Sequence, residues 1–234
     1  MAHANPEERV ERRLTAILVA DVVNYSRLMG ADEAGTLAAL KAYRRELIDP
    51  SIAAHHGRII KLMGDGALVE FPSVVEAVQC AVEIQVATEE RNTAIPEDRQ
   101  IRFRIGINSG DVIIDGEDIY GDGVNIAARL QAPAEPGSVY ISEVVYDQIR
   151  SKLGFDYRFL GEHRVKNIAK PVRFYGVCPD AATGRRVGRA QWARRLPRLA
   201  AIVVLLLGTG TAAAWYIYHE AQPQGSQNEP VALI

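Results

Sequence analysis

Two apolar, β-branched stretches flank Gly64-Asp65-Gly66. Arg58-Ile59-Ile60-Lys61-Leu62-Met63 leads into it and Ala67-Leu68-Val69-Glu70-Phe71 leads away. Glycine supplies the positive φ that a tight turn needs, so the stretch predicts a β-hairpin whose turn lifts Asp65 clear of a buried sheet. Asp and Gly are ordinary turn residues, and a turn with no further role satisfies this pattern taken alone. A second acid shifts the balance. Asp21 closes another apolar run, Leu14-Thr15-Ala16-Ile17-Leu18-Val19-Ala20. An acid at the end of a buried strand is costly to desolvate unless something compensates it. Two acids, each at the tip of a core strand, could hold divalent metals for phosphate chemistry.

The elements around these acids follow from periodicity. Leu14–Ala20 reads as the first strand, and Asp32 as the cap of a helix running from about Glu33 to Ala54. Leu37, Leu40, Leu47 and Ile48 lie on its inner face, and Pro50 interrupts or kinks it. His55 and His56 at its end are expected to satisfy the helix terminus rather than bind metal. A second helix follows Pro72 and ends near Asn92. Ile101–Asn108 alternates as a half-buried strand should, Ser109-Gly110 reads as a turn, and Asp111–Ile114 as a returning strand. Glycines at 121 and 123 allow a sharp entry into a helix from about Val124. Asn125 and Arg129 then share a face directed away from the core, an arrangement that a solvated surface also explains. Strand 138–142, helix 143–152 and a closing pair over 156–163 and 172–177 complete the reading. Lys166 and Lys170 between the closing strands read as surface groups. The order β-α-β-β-α-β, then α-β-α-β-β, predicts an α+β domain with a ferredoxin-like core and additions.

Charge and hydropathy divide the chain further. Six arginines and no acid lie between Ala181 and Arg198, and Glu220 and Glu229 are the only charges beyond. Setting these aside from the chain's net −2 leaves about −6 up to Asp180, which suits metal binding and argues against a general nucleic-acid surface. Residues 199–219 carry no charge and end in Trp215, Tyr216 and Tyr218; a bilayer core needs roughly 20 apolar residues. The expected division is therefore a flexible lead-in at 1–13, a soluble domain at 14–178 and an Arg-rich linker at 179–198. A single transmembrane helix at 199–219 and a short disordered tail at 220–234 follow. The arginines place the soluble domain in the cytoplasm, anchored to the cell's inner membrane. Cys80 and Cys178 have no metal-type spacing, and Cys80 is expected as a buried free thiol.

Three separated motifs together resemble one known family. They are Ala20-Asp21-Val22-Val23-Asn24-Tyr25-Ser26, Gly64-Asp65-Gly66, and Tyr120-Gly121-Asp122-Gly123-Val124-Asn125-Ile126-Ala127-Ala128-Arg129-Leu130. From about Arg13 to Val177 the chain resembles the catalytic domain of class III adenylyl/guanylyl cyclases, in a bacterial, membrane-anchored branch. The resemblance implies Asp21, Asp65 and the backbone carbonyl of Val22 as ligands of two Mg²⁺ or Mn²⁺ ions. It implies Lys61 and Asp118 as the adenine-reading pair, Asn125 as the residue that orients the ribose, and Arg129 as the transition-state arginine. The implied reaction makes cyclic AMP and pyrophosphate from ATP, at sites shared head-to-tail across a homodimer. A catalytically silent module that binds nucleotide or a partner is the alternative.

The adenine assignment has its own chemistry. Adenine presents a donor at its N6 amino group and an acceptor at N1, which an aspartate and a lysine complement. Guanine presents the reverse pattern. Two departures stand out: Asn24 where this branch more often has Gly, and a short Asp115-Gly116-Glu117 segment where many relatives carry a longer dimerisation arm. Asn tolerates unusual backbone angles better than most residues.

Overall fold

A computed structural model describes residues 11–164, 168 and 171–178. Strand β1 (Glu11–Val22) alternates cleanly. Ala16, Leu18 and Val22 point to one face of the sheet, Ile17 and Val19 to the other, and all are buried. A strand apolar on both faces has to lie inside a covered sheet, and β1 does. It pairs antiparallel with β3 (Gly66–Phe71) on one edge and with β4 (Phe103–Asp115) on the other. The sheet order is β2-β3-β1-β4-β6-β8-β7, where β2 is Arg58–Met63, β6 Val139–Ser142, β7 Asp156–His163 and β8 Val172–Cys178; β5 (Asp118–Tyr120) pairs with the far end of β4. The expected α+β class, its core order and the strand pair over 156–163 and 172–178 are all present.

The faces are covered unequally. Helices α1 (Tyr25–Ala31), α2 (Glu33–Tyr43), α3 (Asp49–Ala54), α4 (Val74–Asn92) and α6 (Glu143–Ile149) contribute to the main core against β1, β3, β4 and β6. Helix α5 (Asp122–Gln131) and β5 cover Ile17, Val19 and Leu68 on the opposite face, in a smaller cluster with Val112, Ile119 and Ala127.

Several expectations change. Glu11–Arg13, assigned to the lead-in, already belong to β1, because residues 112–114 of β4 extend the ladder opposite them. Ser109-Gly110 is not a turn: β4 runs straight through it, paired with β1 from Phe103 to Ile114. Gly110 instead admits α5, since a Cβ there would lie 3.2 Å from the Gly123 Cα. The long helix after Asp32 is divided. A π-helical turn at Arg44–Ile48 separates α2 from α3, and Pro50 sits in the first turn of α3, where its missing N–H costs nothing. Leu37 is exposed, and Tyr43 fills the core in its place. Tyr25–Ala31 is an additional short helix.

Other readings hold. The Asp32 carboxylate caps α2 by accepting from the Gly35 amide at 2.8 Å. Asn24 adopts the left-handed conformation, φ 54°. Cys80 is buried, and burial raises its thiol pKa well beyond the usual range. His55 stands at the end of α3, but its ring does more than cap it. Nδ1 meets Glu76 at 2.7 Å and Nε2 meets Glu83 at 3.0 Å, so it pins α3 to α4. Burial works against a charge on this ring, and the two carboxylates overcome it, raising the pKa. The expected linker, membrane span and tail, and Lys166 and Lys170, lie outside the described residues. Among the described residues no helix is long and apolar enough to cross a membrane.

Candidate active site

Asp21 is the penultimate residue of β1, directly opposite Arg104 of β4. Its Oδ2 accepts from Arg104 Nη2 at 2.6 Å and from Gln131 Nε2 at 3.2 Å. Asp65 occupies the turn between β2 and β3. The pairing of Ala20 with Ala67 sets that turn beside the end of β1. Two glycines make the approach possible. Gly64 takes φ 65°, and a Cβ on Gly66 would lie 2.9 Å from the Ala20 carbonyl oxygen. Burial, and then a hydrogen bond shared with Asp21, push the Asp65 carboxyl up to about 6.

Two carboxyls side by side in a half-buried notch are a site that a cation would stabilise. The donor set is small. Among the described residues no group of three or more His, Cys, Asp or Glu could hold a metal. Asp21, Asp65 and the carbonyl of Val22, a residue 2% exposed and anchored in the core, are oxygen donors of the hard kind that a divalent cation prefers.

The second constellation is Lys61 with Asp118. Lys61 Nζ lies 2.5 Å from Asp118 Oδ2, which also accepts from the Tyr120 hydroxyl at 3.1 Å; Oδ1 accepts from the Ile119 amide at 3.0 Å. Each partner shifts the other: the hydrogen bond to Asp118 raises the Lys61 pKa, and the one to Lys61 lowers that of Asp118. A bulge between Ile59 and Lys61 makes this meeting possible. Ile59 pairs with Val69 of the main core, whereas Lys61 pairs with Leu68 of the opposite face. Regular alternation would give Ile59 and Lys61 the same face. The extra residue turns Lys61 to the face where β5 and α5 lie.

The third set is Asn125 and Arg129, one turn apart on the exposed side of α5, with Ala127 and Leu130 fully buried on the other. Neither side chain has a hydrogen-bond or ion-pair partner among the described residues. Asn108 fixes the start of this helix, its Nδ2 donating to the Gly123 carbonyl at 3.0 Å.

The chain thus joins Asp21 to Asp65 and Lys61 to Asp118, and leaves Asn125 and Arg129 open. No hydrogen bond or ion pair links the three sets among the described residues. Sequence reasoning missed Arg104, Gln131 and Tyr120, which hold the two key carboxylates. Arg104 stood in the polar half of an alternating strand, Tyr120 opened a quoted motif without being given a role, and Gln131 bordered it.

A twisted sheet with two acids at one strand end and a lysine–aspartate pair on the face beneath α5 is the architecture of a nucleotide cyclase domain. Residues 9–177 match the family model described as the adenylate and guanylate cyclase catalytic domain, and the chain belongs to that family.

The chain is 45% identical, over 74% of its length, to a Rhizobium meliloti protein provisionally named adenylate cyclase 3, of which the match covers 30%. It is 32% identical over 61% of its length to an adenylate cyclase of Streptomyces coelicolor, covering 36% of that protein. The chain therefore spans well under half the length of these relatives. Among solved structures it resembles an adenylate/guanylate cyclase/hydrolase from Silicibacter pomeroyi: 45% identity, TM-score 0.70, covering 74% of this chain and all of that one.

Proposed function

We propose that this domain is an adenylate cyclase, converting ATP to 3′,5′-cyclic AMP and pyrophosphate. The observation that carries the proposal is the Lys61–Asp118 pair, a cation and an acceptor held together at 2.5 Å by elements far apart in sequence. On this reading Asp118 accepts from the adenine N6 amino group while Lys61 turns to donate to N1. A guanine there would leave both partners unpaired, a mismatch that can discriminate by factors of about 10⁴. Asn125 orients the ribose so that its 3′-oxygen faces the α-phosphorus. The new bond forms at that oxygen as the bond between the α-phosphorus and the pyrophosphate bridging oxygen breaks in line; the hydroxyl proton passes to solvent water and the electron pair leaves on pyrophosphate. Arg129 neutralises the charge that develops on the phosphoryl oxygens. Two Mg²⁺ or Mn²⁺ ions at Asp21, Asp65 and the Val22 carbonyl would supply Lewis acidity to the attacking hydroxyl and the departing pyrophosphate.

The open Asn125–Arg129 face supports a site shared across a head-to-tail homodimer. One copy gives the two acids and its twin gives Lys61, Asp118, Asn125 and Arg129. Residues 199–219 would anchor the chain in the inner membrane with the domain in the cytoplasm, raising the effective concentration of its partner. A chain cut before Ala181 should then leave the membrane fraction.

Turnover decides the main reading. Purified protein given ATP with Mg²⁺ or Mn²⁺ should release cyclic AMP, and GTP should give far less cyclic product. Dimeric, metal-loaded protein that yields no product would favour a silent nucleotide-binding module.

A further inference from the structure

We infer that Gln131 is a positioning residue for the carboxylate of Asp21, a role that rests on reading Asp21 as a metal ligand. Gln131 is the last residue of α5 and only 8% exposed, and a buried amide requires a partner. Its partner is Asp21 Oδ2 at 3.2 Å. Arg104 Nη2 reaches the same oxygen at 2.6 Å. Two donors arriving from different elements fix the rotation of the carboxylate about its Cβ–Cγ bond.

The two donors are not equivalent. Arg104, whose Nη1 is tied to the Ala132 carbonyl at 3.1 Å, brings a positive charge that opposes a cation. Gln131 orients the oxygen while leaving the negative charge intact. Its backbone is also firmly seated. A Cβ on Gly106 would lie 2.4 Å from the Gln131 amide nitrogen and 2.4 Å from the Ala127 carbonyl oxygen, so the end of α5 rests directly on β4. Gly106 pairs with Val19, two residues before Asp21, so helix, strand and carboxylate share one rigid frame. Groups that orient metal ligands in this way are typically worth about 10–100-fold in metal affinity.

Mn²⁺ binding tests this without turnover. Free Mn²⁺ is read by electron paramagnetic resonance in the presence of 3′-deoxy-ATP, which lacks the attacking hydroxyl, and thermal midpoints are measured without metal. Asp21→Ala serves as the control for the metal reading itself and should abolish tight binding. Gln131→Met keeps the side-chain length and removes the donor; it should weaken Mn²⁺ about ten-fold with the metal-free midpoint little changed. Gln131→Leu removes the donor without adding a charge and should weaken Mn²⁺ to a similar extent. A purely structural Gln131 would lower the midpoint in both variants and leave Mn²⁺ affinity unmoved. The inference is overturned if both variants bind Mn²⁺ within about two-fold of the native protein while Asp21→Ala has lost it. Should Gln131→Met fail to fold, Gln131→Leu decides alone. Equal binding by Asp21→Ala and the native protein would instead overturn the metal assignment.

Discussion

Lys61 and Asp118 stand 57 residues apart in sequence and share a proton-rich contact at 2.5 Å. Both are partly open to solvent, so the pair adds little to stability, and on the proposed reading its value lies in what it recognises. Replacing Lys61 by Glu together with Asp118 by Cys should cut the preference for ATP over GTP at least ten-fold, read as the ratio of kcat/KM values. An unchanged ratio would break the adenine assignment. Asp65 makes a second case at this scale. Its carboxyl is raised from 3.8 to about 6, so the folded chain holds a proton that the unfolded chain has released. The contribution of Asp65 to stability is therefore full below pH 4 and lost as pH rises through about 6. A divalent cation held there would offset the cost of keeping this part-buried carboxylate charged. Mn²⁺ should accordingly raise the thermal midpoint more at pH 7.5 than at pH 5, and an equal rise at both would exclude a cation between the two acids.

Helix α5 is the element on which the site turns. It carries Asn125 and Arg129 outward and Gln131 inward, and it can lie close to β4 only because Gly106 and Gly110 have no side chains. Gly106→Ala drives a methyl group to 2.4 Å from two backbone atoms, which cannot swing aside. Overpacking of this kind costs about 1–3 kcal/mol or more, so differential scanning calorimetry should show a midpoint lowered by several degrees. Gly110→Ala, whose added carbon meets the Gly123 Cα at 3.2 Å, should cost less. If Gly106→Ala is the milder of the two, the close seating of α5 is wrong. The β2 bulge belongs to the same scale. One extra residue between Ile59 and Lys61 determines which face of the sheet receives the lysine.

At the scale of the whole molecule, the proposed reading gives one chain both halves of a nucleotide site without joining them. Mixing Asp21→Ala chains with Arg129→Ala chains should restore activity through one intact composite site in each mixed dimer, up to about half that of the native dimer. Mixed dimers shown to form but still inactive would place all the catalytic groups in a single protomer.

Much of this architecture is legible in the sequence. The apolar run of β1, the turn at Gly64–Asp65, the Asp32 cap and the apolar stripe of α4 are local patterns, and each predicts its own element because the chain's short-range geometry is set by residues close in sequence. What the sequence misread lies at longer range. Ser109-Gly110 has the composition of a turn, but a full-length ladder with β1 keeps β4 straight, and the glycine serves a helix that begins twelve residues later. Arg104 and Gln131 look like surface residues until β1, β4 and α5 converge on Asp21. Sequence by itself determined the class of fold, the two acids and the motif on α5. Only the tertiary structure decided that a bulge turns Lys61 toward Asp118 and that Gln131 reaches Asp21, because facing is settled by registry and close approach between segments distant in the chain.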